Sequence, residues 1–80
     1  MKKYEFTGEM KKTGLFGNIT VKRIRATAKF GGVEEGDLGG WIETEENLSH
    51  ERNAWVYSNA EVYGNAKVYG NAEINRHAND

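Results

Sequence analysis

The chain has no cysteine, so disulfides and thiolate metal sites are excluded. Its 80 residues are expected to form one small domain, with a core that is marginal unless repetition, a metal or self-association adds stability. The two histidines, His50 and His77, would need carboxylates or a second chain to complete a zinc site. We predict no structural metal and no cofactor.

Long apolar runs are also missing, since no stretch approaches the length of a membrane span. The first three residues lead into Tyr4-Glu5-Phe6 and not into the apolar stretch of a signal peptide. We therefore expect a cytoplasmic protein without membrane contact. The net charge of -1 argues against a general nucleic-acid binder, so nucleic acid stays open as a partner but is not favoured.

The charge is unevenly distributed along the chain. Residues 1–30 hold eight of the eleven basic residues and two acidic ones, a balance of +6, whereas residues 31–80 carry -7. Such a dipolar chain could associate head to tail, or present a basic face to nucleic acid and an acidic face to a basic protein. The alternative, that both halves are well-solvated surfaces, stays open.

Residues 1–30 predict a β-hairpin that forms the head of the molecule. Residues 3–7 alternate polar and apolar side chains, and residues 19–30 are rich in β-branched residues. Residues 8–17 contain three glycines and predict a long loop between these two strands.

The second predicted strand changes its inward face along its length. Ile19 and Val21 share one face of a period-two strand, whereas Ile24 and the apolar residues after it share the other. This switch predicts a β-bulge or bend near Lys22 and Arg23.

Residues 31–53 predict a glycine-rich junction between the hairpin and a repeat. Five glycines in this segment permit positive φ and close backbone approach. Trp41, Ile42 and Leu48 are predicted to plug the open end of the first coil, because an isolated solenoid end exposes apolar side chains.

Residues 54–80 contain a six-residue repeat. Each hexad has an aliphatic first residue (Val56, Val62, Val68, Ile74) and an alanine in fifth place (Ala60, Ala66, Ala72, Ala78). This period predicts a β-solenoid in which both positions point inward. Asn after Ser or Gly supplies turn chemistry in the first three hexads.

The repeat is short for a solenoid. Three hexads per coil place each residue over the one 18 positions later, so we predict Ile74 over Val56 and Ala78 over Ala60, in a little under two coils. The last coil would expose strand edges and apolar interior, which predicts a homodimer through the C-terminal coil. The predicted self-association residues are Val68, Ala72, Ile74 and Ala78.

Several segments match a known pattern. They are Arg-Ile-Arg-Ala at 23–26, a Gly-rich junction at 30–43 that ends in Gly-Gly-Trp-Ile-Glu, Glu-Asn-Leu-Ser at 46–49 and Ala-Trp-Val-Tyr at 54–57. Together with the Asn-Ala-x-Val-Tyr-Gly repeats, they resemble a widespread group of bacterial and phage hexapeptide-repeat proteins over residues 23–74. Longer members of the group are named acyltransferases or polymer-forming proteins, and short ones are common in phage genomes.

The resemblance implies an all-β protein in which an N-terminal β-hairpin or small sheet caps a short left-handed parallel β-helix of under two coils. Acyltransferases of this fold hold acyl-CoA in a subunit groove of a trimer and use a histidine from a protruding loop as base. This chain has too few coils for such a groove, and no loop interrupts its hexads. We predict no catalytic residue.

The histidines support that prediction. His77 stands where the other hexads have Asn, so it is predicted to be a surface corner residue. His50 lies between Ser49 and Glu51, but adjacent residues of an extended chain point in alternate directions and rarely form a catalytic relay.

Two surfaces are predicted to bind a partner. The aromatic surface comprises Trp55, Tyr57, Tyr63 and Tyr69, and the basic surface comprises Lys22, Arg23 and Arg25. Aromatic residues are favoured at protein interfaces because they bury a large area at little entropic cost. Tyrosine is also a good strand residue, so a purely structural role stays open.

The leading hypothesis is a non-catalytic protein-binding module, encoded by a phage or mobile element, that binds and inhibits a host protein such as a defence component. It rests on size, surface pattern and the resemblance. The alternatives are a structural, self-assembling β-solenoid scaffold and a remnant of a hexapeptide acyltransferase.

Overall fold

The computed structural model describes residues 2–75 and 78–79. The fold is all-β with a mixed sheet. Its strands are β1 (Tyr4–Thr13), β2 (Ile19–Ala26), β3 (Leu38–Ile42), β4 (Trp55–Val56), β5 (Glu61–Tyr63), β6 (Glu73–Ile74) and β7 (Ala78–Asn79), and a 3-10 helix covers Glu45–Asn47. Among the described residues, no helix has the length and apolar character needed to cross a membrane.

The predicted hairpin is confirmed, with β1 antiparallel to β2. Its loop is shorter than predicted, because β1 continues through residues 8–13 and leaves only residues 14–18 between the strands. Gly8 has a φ of 103° and lies where the β1–β2 register shifts. The conformational freedom of Gly8 lets β1 form a bulge and then resume pairing with β2, so β1 does not end at this glycine.

The predicted irregularity near Arg23 is also confirmed. Phe6 pairs with Ile24, but the next pair joins Met10 to Lys22, so three residues of β1 lie opposite Arg23. The register between β2 and β3 shifts just after Arg23 as well. The change of face allows both Val21 and Ile24 to be buried.

Strand β3 connects the two parts of the sheet. It is antiparallel to β2 and parallel to β5, and the sheet order is β1-β2-β3-β5-β7. The predicted close backbone approach occurs at Gly39 and Gly40. A Cβ atom on Gly39 would lie 2.6 Å from the Trp55 ring, and one on Gly40 would lie 2.5 Å from the Ala60 carbonyl oxygen.

The repeat forms short parallel pairs. Val56 pairs with Ile74 at the predicted 18-residue separation, in a second sheet made of β4 and β6. Ile42 pairs with Val62, a separation of 20 residues. The predicted stacking of Ala78 over Ala60 is wrong, because β7 pairs with β5 and sets Ala78 beside Val62. The chain length between paired strands therefore differs from coil to coil.

The core is continuous from the hairpin to the repeat. It combines Tyr4, Ile24, Ala26, Val33, Ile42, Leu48, Ala54, Trp55, Val56, Ala60, Val62 and Val68. Ile42 and Leu48 are fully buried, as expected of a plug, and Leu48 forms a parallel bridge with Val68. Trp41 stays partly exposed at the outer side of β3.

Candidate functional site

The predicted basic surface is largely engaged within the molecule. The Lys22 ammonium donates to the Glu43 carbonyl (2.9 Å), and Nε of Arg23 donates to the Gly39 carbonyl (3.2 Å). Arg25 forms an ion pair with Glu5. These three side chains hold neighbouring segments together, and carboxylates partly neutralise two of them, Glu9 beside Arg23 and Glu5 beside Arg25.

Ion pairs also join the basic N-terminal third to the acidic remainder. Lys2 contacts Glu45 at 3.1 Å, Lys11 contacts Glu61 at 2.7 Å, and Lys29 contacts Glu34 at 3.7 Å. The uneven charge of the sequence is therefore partly neutralised inside one chain. Lys2–Glu45 and Lys29–Glu34 are exposed pairs, which each stabilise a fold by about 0–1 kcal/mol, whereas the side chain of Glu61 is buried.

The aromatic surface differs from the prediction at its first member. Trp55 is 1% exposed, and its ring packs edge-on against Phe30 with centroids 5.2 Å apart. Its assignment to a partner-binding surface is therefore wrong. Tyr57 and Tyr63 are partly buried, and Tyr69 is 71% exposed.

The predicted self-association residues do not form one exposed patch. Val68 is buried in the core, so its assignment to an interface is wrong. Ala72 is exposed and Ile74 is partly exposed. The side chain of Ala78 lies outside the described residues, as does His77.

His50 is fixed by contacts on both ring nitrogens. Nδ1 accepts the backbone N–H of Lys3 (3.1 Å), so Nε2 carries the proton and donates to Glu45 (2.8 Å). The ring stacks on Tyr4, with centroids 4.0 Å apart. The hydrogen bond from His50, followed by that from Lys2, lowers the pKa of Glu45. A general base needs an accessible nitrogen lone pair, which His50 lacks in this arrangement.

Tyr4 belongs to the same structural cluster. Its hydroxyl donates to the Leu48 carbonyl oxygen at 2.6 Å, and burial raises the pKa of the phenol. The cluster therefore fastens the start of β1 to the segment between the 3-10 helix and β4.

Lys3 is buried and also connects β1 to the segment that precedes β4. Its ammonium donates to the carbonyl oxygens of Glu51 (3.3 Å), Arg52 (3.1 Å) and Ala54 (2.7 Å) and lies 4.5 Å from the Phe30 ring centroid. An ammonium has three N–H donors, and three carbonyls meet them. Burial lowers the pKa of Lys3 to about 8.

Asn47 is a buried structural residue that sequence reasoning missed. Its Oδ1 accepts the backbone N–H of Glu43 (3.1 Å) and Thr44 (2.9 Å). Its Nδ2 donates to the carbonyls of Gly64 (3.3 Å) and Ala66 (2.8 Å). The amide thus joins the junction to the repeat, and an Asn just before a buried Leu is the only sequence signal for it.

A cavity of about 130 Å³ opens beside the start of β1. Its walls are Lys2, Tyr4, Glu5, Phe6 and Glu45, and most of the lining surface is apolar. Within residues 2–75 and 78–79, no group of three His, Asp or Glu residues is placed to hold a metal ion.

Among the large apolar side chains that the structure describes, the two most exposed lie at the hairpin tip, defined here as residues 14–17. Leu15 is 91% exposed and Phe16 is 83% exposed. The Gly17 N–H donates to the Gly14 carbonyl (3.1 Å), and both glycines have positive φ, so a tight turn presents the two side chains outward. Sequence analysis assigned these residues to a long loop and did not single them out, although Leu15 and Phe16 between two glycines are a signal for an apolar turn.

Comparisons with known proteins give a distant and partial similarity. No family model matches the chain. The chain is 35% identical over 62 residues to the Escherichia coli (strain K12) protein named uncharacterized acetyltransferase YdcK. The match covers 71% of this chain and 19% of that relative, so the chain spans about a fifth of the relative's length.

Proposed function

We propose that the protein is a non-catalytic protein-binding module that uses the hairpin tip as its anchor. The observation that carries this proposal is the exposure of Leu15 and Phe16 on a turn closed by a backbone hydrogen bond. Large apolar side chains that a rigid turn holds in water lose little entropy on binding. Burying a side chain of this size contributes about 1.5–3 kcal/mol, which is the scale of an interface hot spot.

The engaged polar groups support a binding role over catalysis. His50 uses both ring nitrogens, and the Lys3 ammonium meets three carbonyls. In the described part of the chain, every buried polar side-chain atom has a hydrogen-bond partner. Polar groups arranged in this way stabilise one conformation, whereas the exposed surface is left for recognition.

The biological setting that we propose comes from the sequence resemblance. A phage or mobile element encodes the module, which acts in the host cytoplasm by binding and inhibiting a host protein. We further propose that the repeat is a short left-handed parallel β-helix. Its hexads and the parallel pairing of Val56 with Ile74 support that architecture.

The test uses the protein as bait with matched surface variants. Wild type, Phe16→Ala and Tyr69→Ala are each incubated with host lysate, and bound proteins are quantified by mass spectrometry. We expect a partner that wild type and Tyr69→Ala retain and that Phe16→Ala loses by at least about tenfold, the effect of about 1.4 kcal/mol. A partner that responds only to Tyr69→Ala would assign binding to the predicted aromatic surface. Equal capture of every protein by all three baits would contradict the proposal.

The similarity to a protein named acetyltransferase supports a second candidate, a remnant of an acyltransferase. This candidate predicts binding of acetyl-CoA, which isothermal calorimetry measures directly. Heat of binding in wild type would favour it, and no heat at millimolar acetyl-CoA would reject it.

A further inference from the structure

The part of the hairpin nearest the tip has two different faces. Directly opposite residues of antiparallel strands share a face, and the face alternates along each strand. Lys11 pairs with Val21 on the inner face, where Val21 is buried and the Lys11 ammonium lies 2.7 Å from the buried Glu61 carboxylate. The opposite side, which we term the open face, consists of Met10, Lys12, Thr20 and Lys22.

The open face carries positive charge beside an apolar side chain. Met10 is 63% exposed, and Lys12 is exposed as well. The Lys12 ammonium donates to the Thr20 hydroxyl (2.8 Å), and the Lys22 ammonium donates to the Glu43 carbonyl oxygen (2.9 Å). Both acceptors are uncharged, and no carboxylate of residues 2–75 and 78–79 forms an ion pair with either lysine. The open face therefore keeps two positive charges.

Both lysines lie behind the apolar tip. Residues 10–22, which include the tip, contain three lysines and no acidic residue. At about 3.4 Å per residue, Lys12 lies about 7 Å behind Gly14, and the pair of Met10 and Lys22 lies about 14 Å behind it. A surface that encloses the tip therefore meets Lys12 at its rim.

We infer that the partner of the tip is a protein whose binding site is an apolar pocket bordered by carboxylates. This inference rests on the proposed function and adds the chemistry of the partner to it. Leu15 and Phe16 fill the pocket, and Lys12 contacts a carboxylate at its rim, which gives the apolar core and polar rim of a protein interface. Lys22 lies farther from the pocket and adds attraction at longer range.

The number of charges favours a protein over other anionic partners. Anionic lipid surfaces attract clusters of about four to eight basic residues, whereas the open face has two lysines. Single-stranded nucleic acid follows a basic groove in which successive bases stack on aromatic rings, whereas the tip offers one ring, that of Phe16. One apolar tip with one ammonium close behind it suits a closed pocket with a carboxylate at its edge.

A synthetic pocket tests the charge preference directly. β-Cyclodextrin has an apolar cavity that admits a phenyl ring, and carboxymethyl-β-cyclodextrin adds carboxylates at its rim. Each is titrated into the ¹⁵N-labelled protein, and the amide signals of residues 14–17 report binding. We expect the carboxylated pocket to bind about three- to tenfold more tightly at low salt, and Phe16→Ala to bind neither.

Charge reversal locates the preference. It should vanish in Lys12→Glu and persist in the matched control Lys67→Glu, whose lysine is exposed on the repeat and has no ion pair among the described residues. Equal affinity of wild type for the two pockets would overturn the inference but leave the anchor role of Phe16 intact. Binding that survives Phe16→Ala would contradict both.

The natural partner supplies a second readout. A lysate protein that wild type captures and Phe16→Ala loses is identified, purified and titrated with Lys12→Glu and Lys67→Glu. We expect only Lys12→Glu to weaken binding, by about three- to tenfold at low salt and less at high salt. Unchanged affinity in Lys12→Glu would overturn this inference and keep the proposed function. Absence of any protein whose capture depends on Phe16 would contradict the proposed function itself.

Lipid vesicles separate a protein pocket from a membrane surface. Flotation is measured with vesicles of phosphatidylcholine and with vesicles that also contain phosphatidylglycerol, and we expect the protein to float with neither. Binding to the anionic vesicles that Phe16→Ala abolishes would assign the tip to a lipid surface and overturn the inference.

Discussion

Lys2 and Lys3 are adjacent but have different roles. The ammonium of Lys2 lies in solvent with one carboxylate partner, Glu45, whereas that of Lys3 is enclosed by three backbone carbonyls. Both lysines look alike in the sequence. Their difference arises because successive side chains of an extended chain point to opposite sides, and only one side faces residues 51–54.

Replacing Lys3 by Met should destabilise the fold by about 2 kcal/mol, because the three carbonyls lose their donor. Chemical denaturation followed by circular dichroism measures the change. Lys2→Met is the matched control, and an exposed ion pair predicts an effect below about 0.5 kcal/mol. Equal effects of the two substitutions would show that Lys3 is not a structural contact.

The lowered pKa of Lys3 predicts a pH dependence. Folding lowers this pKa from 10.5 to about 8, so in this range the unfolded chain holds a proton that the folded chain releases. The unfolded state then binds more protons, and stability due to Lys3 rises with pH between these values. We expect the difference in unfolding free energy between wild type and Lys3→Met to increase from pH 8 to pH 10. A constant difference would contradict the assignment, and the effect of Tyr4 cancels in this comparison.

Asn47→Asp should destabilise the fold by about 2–4 kcal/mol. Aspartate keeps the acceptor for the two N–H groups but cannot donate to the carbonyls of Gly64 and Ala66, and it adds a buried charge. Thermal unfolding measures the loss. The control is Asn59→Asp, where the side chain is exposed and we expect a change within about 0.5 kcal/mol.

At the scale of elements, β3 depends on the absence of side chains at Gly39 and Gly40. These positions lie against the Trp55 ring and the backbone of residues 57–60. Because the backbone of β3 lies this close to the repeat, β3 can pair with antiparallel β2 on one edge and with parallel β5 on the other. A larger residue at either position would push the repeat away from the hairpin.

Gly40→Ala is therefore expected to cost about 3 kcal/mol or more, because its Cβ would overlap the carbonyl oxygens of Tyr57 and Ala60, which cannot rotate away. Gly32→Ala is the control, since a Cβ there meets nothing within 4 Å. Its effect should lie between zero and a gain of about 1 kcal/mol. Denaturant midpoints of the two variants give the comparison, and a tolerated Gly40→Ala would show that β3 and β5 can separate.

The elements that sequence analysis located are those with a local signal. The alternation of polar and apolar residues predicted the hairpin, and the change of apolar face predicted the irregularity at Arg23. The glycines at 39 and 40 predicted the close backbone approach at β3. The number of residues between paired positions could not be predicted from the hexads. Leu48 and Val68 are 20 residues apart, and this offset depends on the 3-10 helix and its Asn47 contacts and not on the hexads alone.

The predicted partner-binding residues were wrong where tertiary contacts determine whether a side chain is exposed. Trp55 lies at the start of the repeat, but its ring packs against Phe30 and it belongs to the same buried core as Ile24 of the hairpin. A residue exposed on the repeat alone is therefore buried in the molecule. The tip shows the opposite case, because no rule of strand periodicity places Leu15 and Phe16 in water.

At the scale of the whole molecule, the apolar tip projects from a surface whose charges are partly paired with one another. The Leu15→Ser, Phe16→Ser double variant should unfold within about 0.5 kcal/mol of wild type, since both side chains are already exposed in the folded state. It should also bind less of the dye ANS, which reports exposed apolar surface. A marked loss of stability would show that the tip packs within the chain.

The antiparallel pairing of β3 with β2 and its parallel pairing with β5 also lead us to expect an order of folding. A β-hairpin forms within about 1–10 μs, whereas each parallel strand pair joins residues 16–20 positions apart in the sequence through only two paired residues per strand. Such pairs gain little until an edge is already in place. We therefore expect the hairpin and β3 to form first and to act as the template for the repeat, so that a strand outside the hexads sets the alignment of the coils.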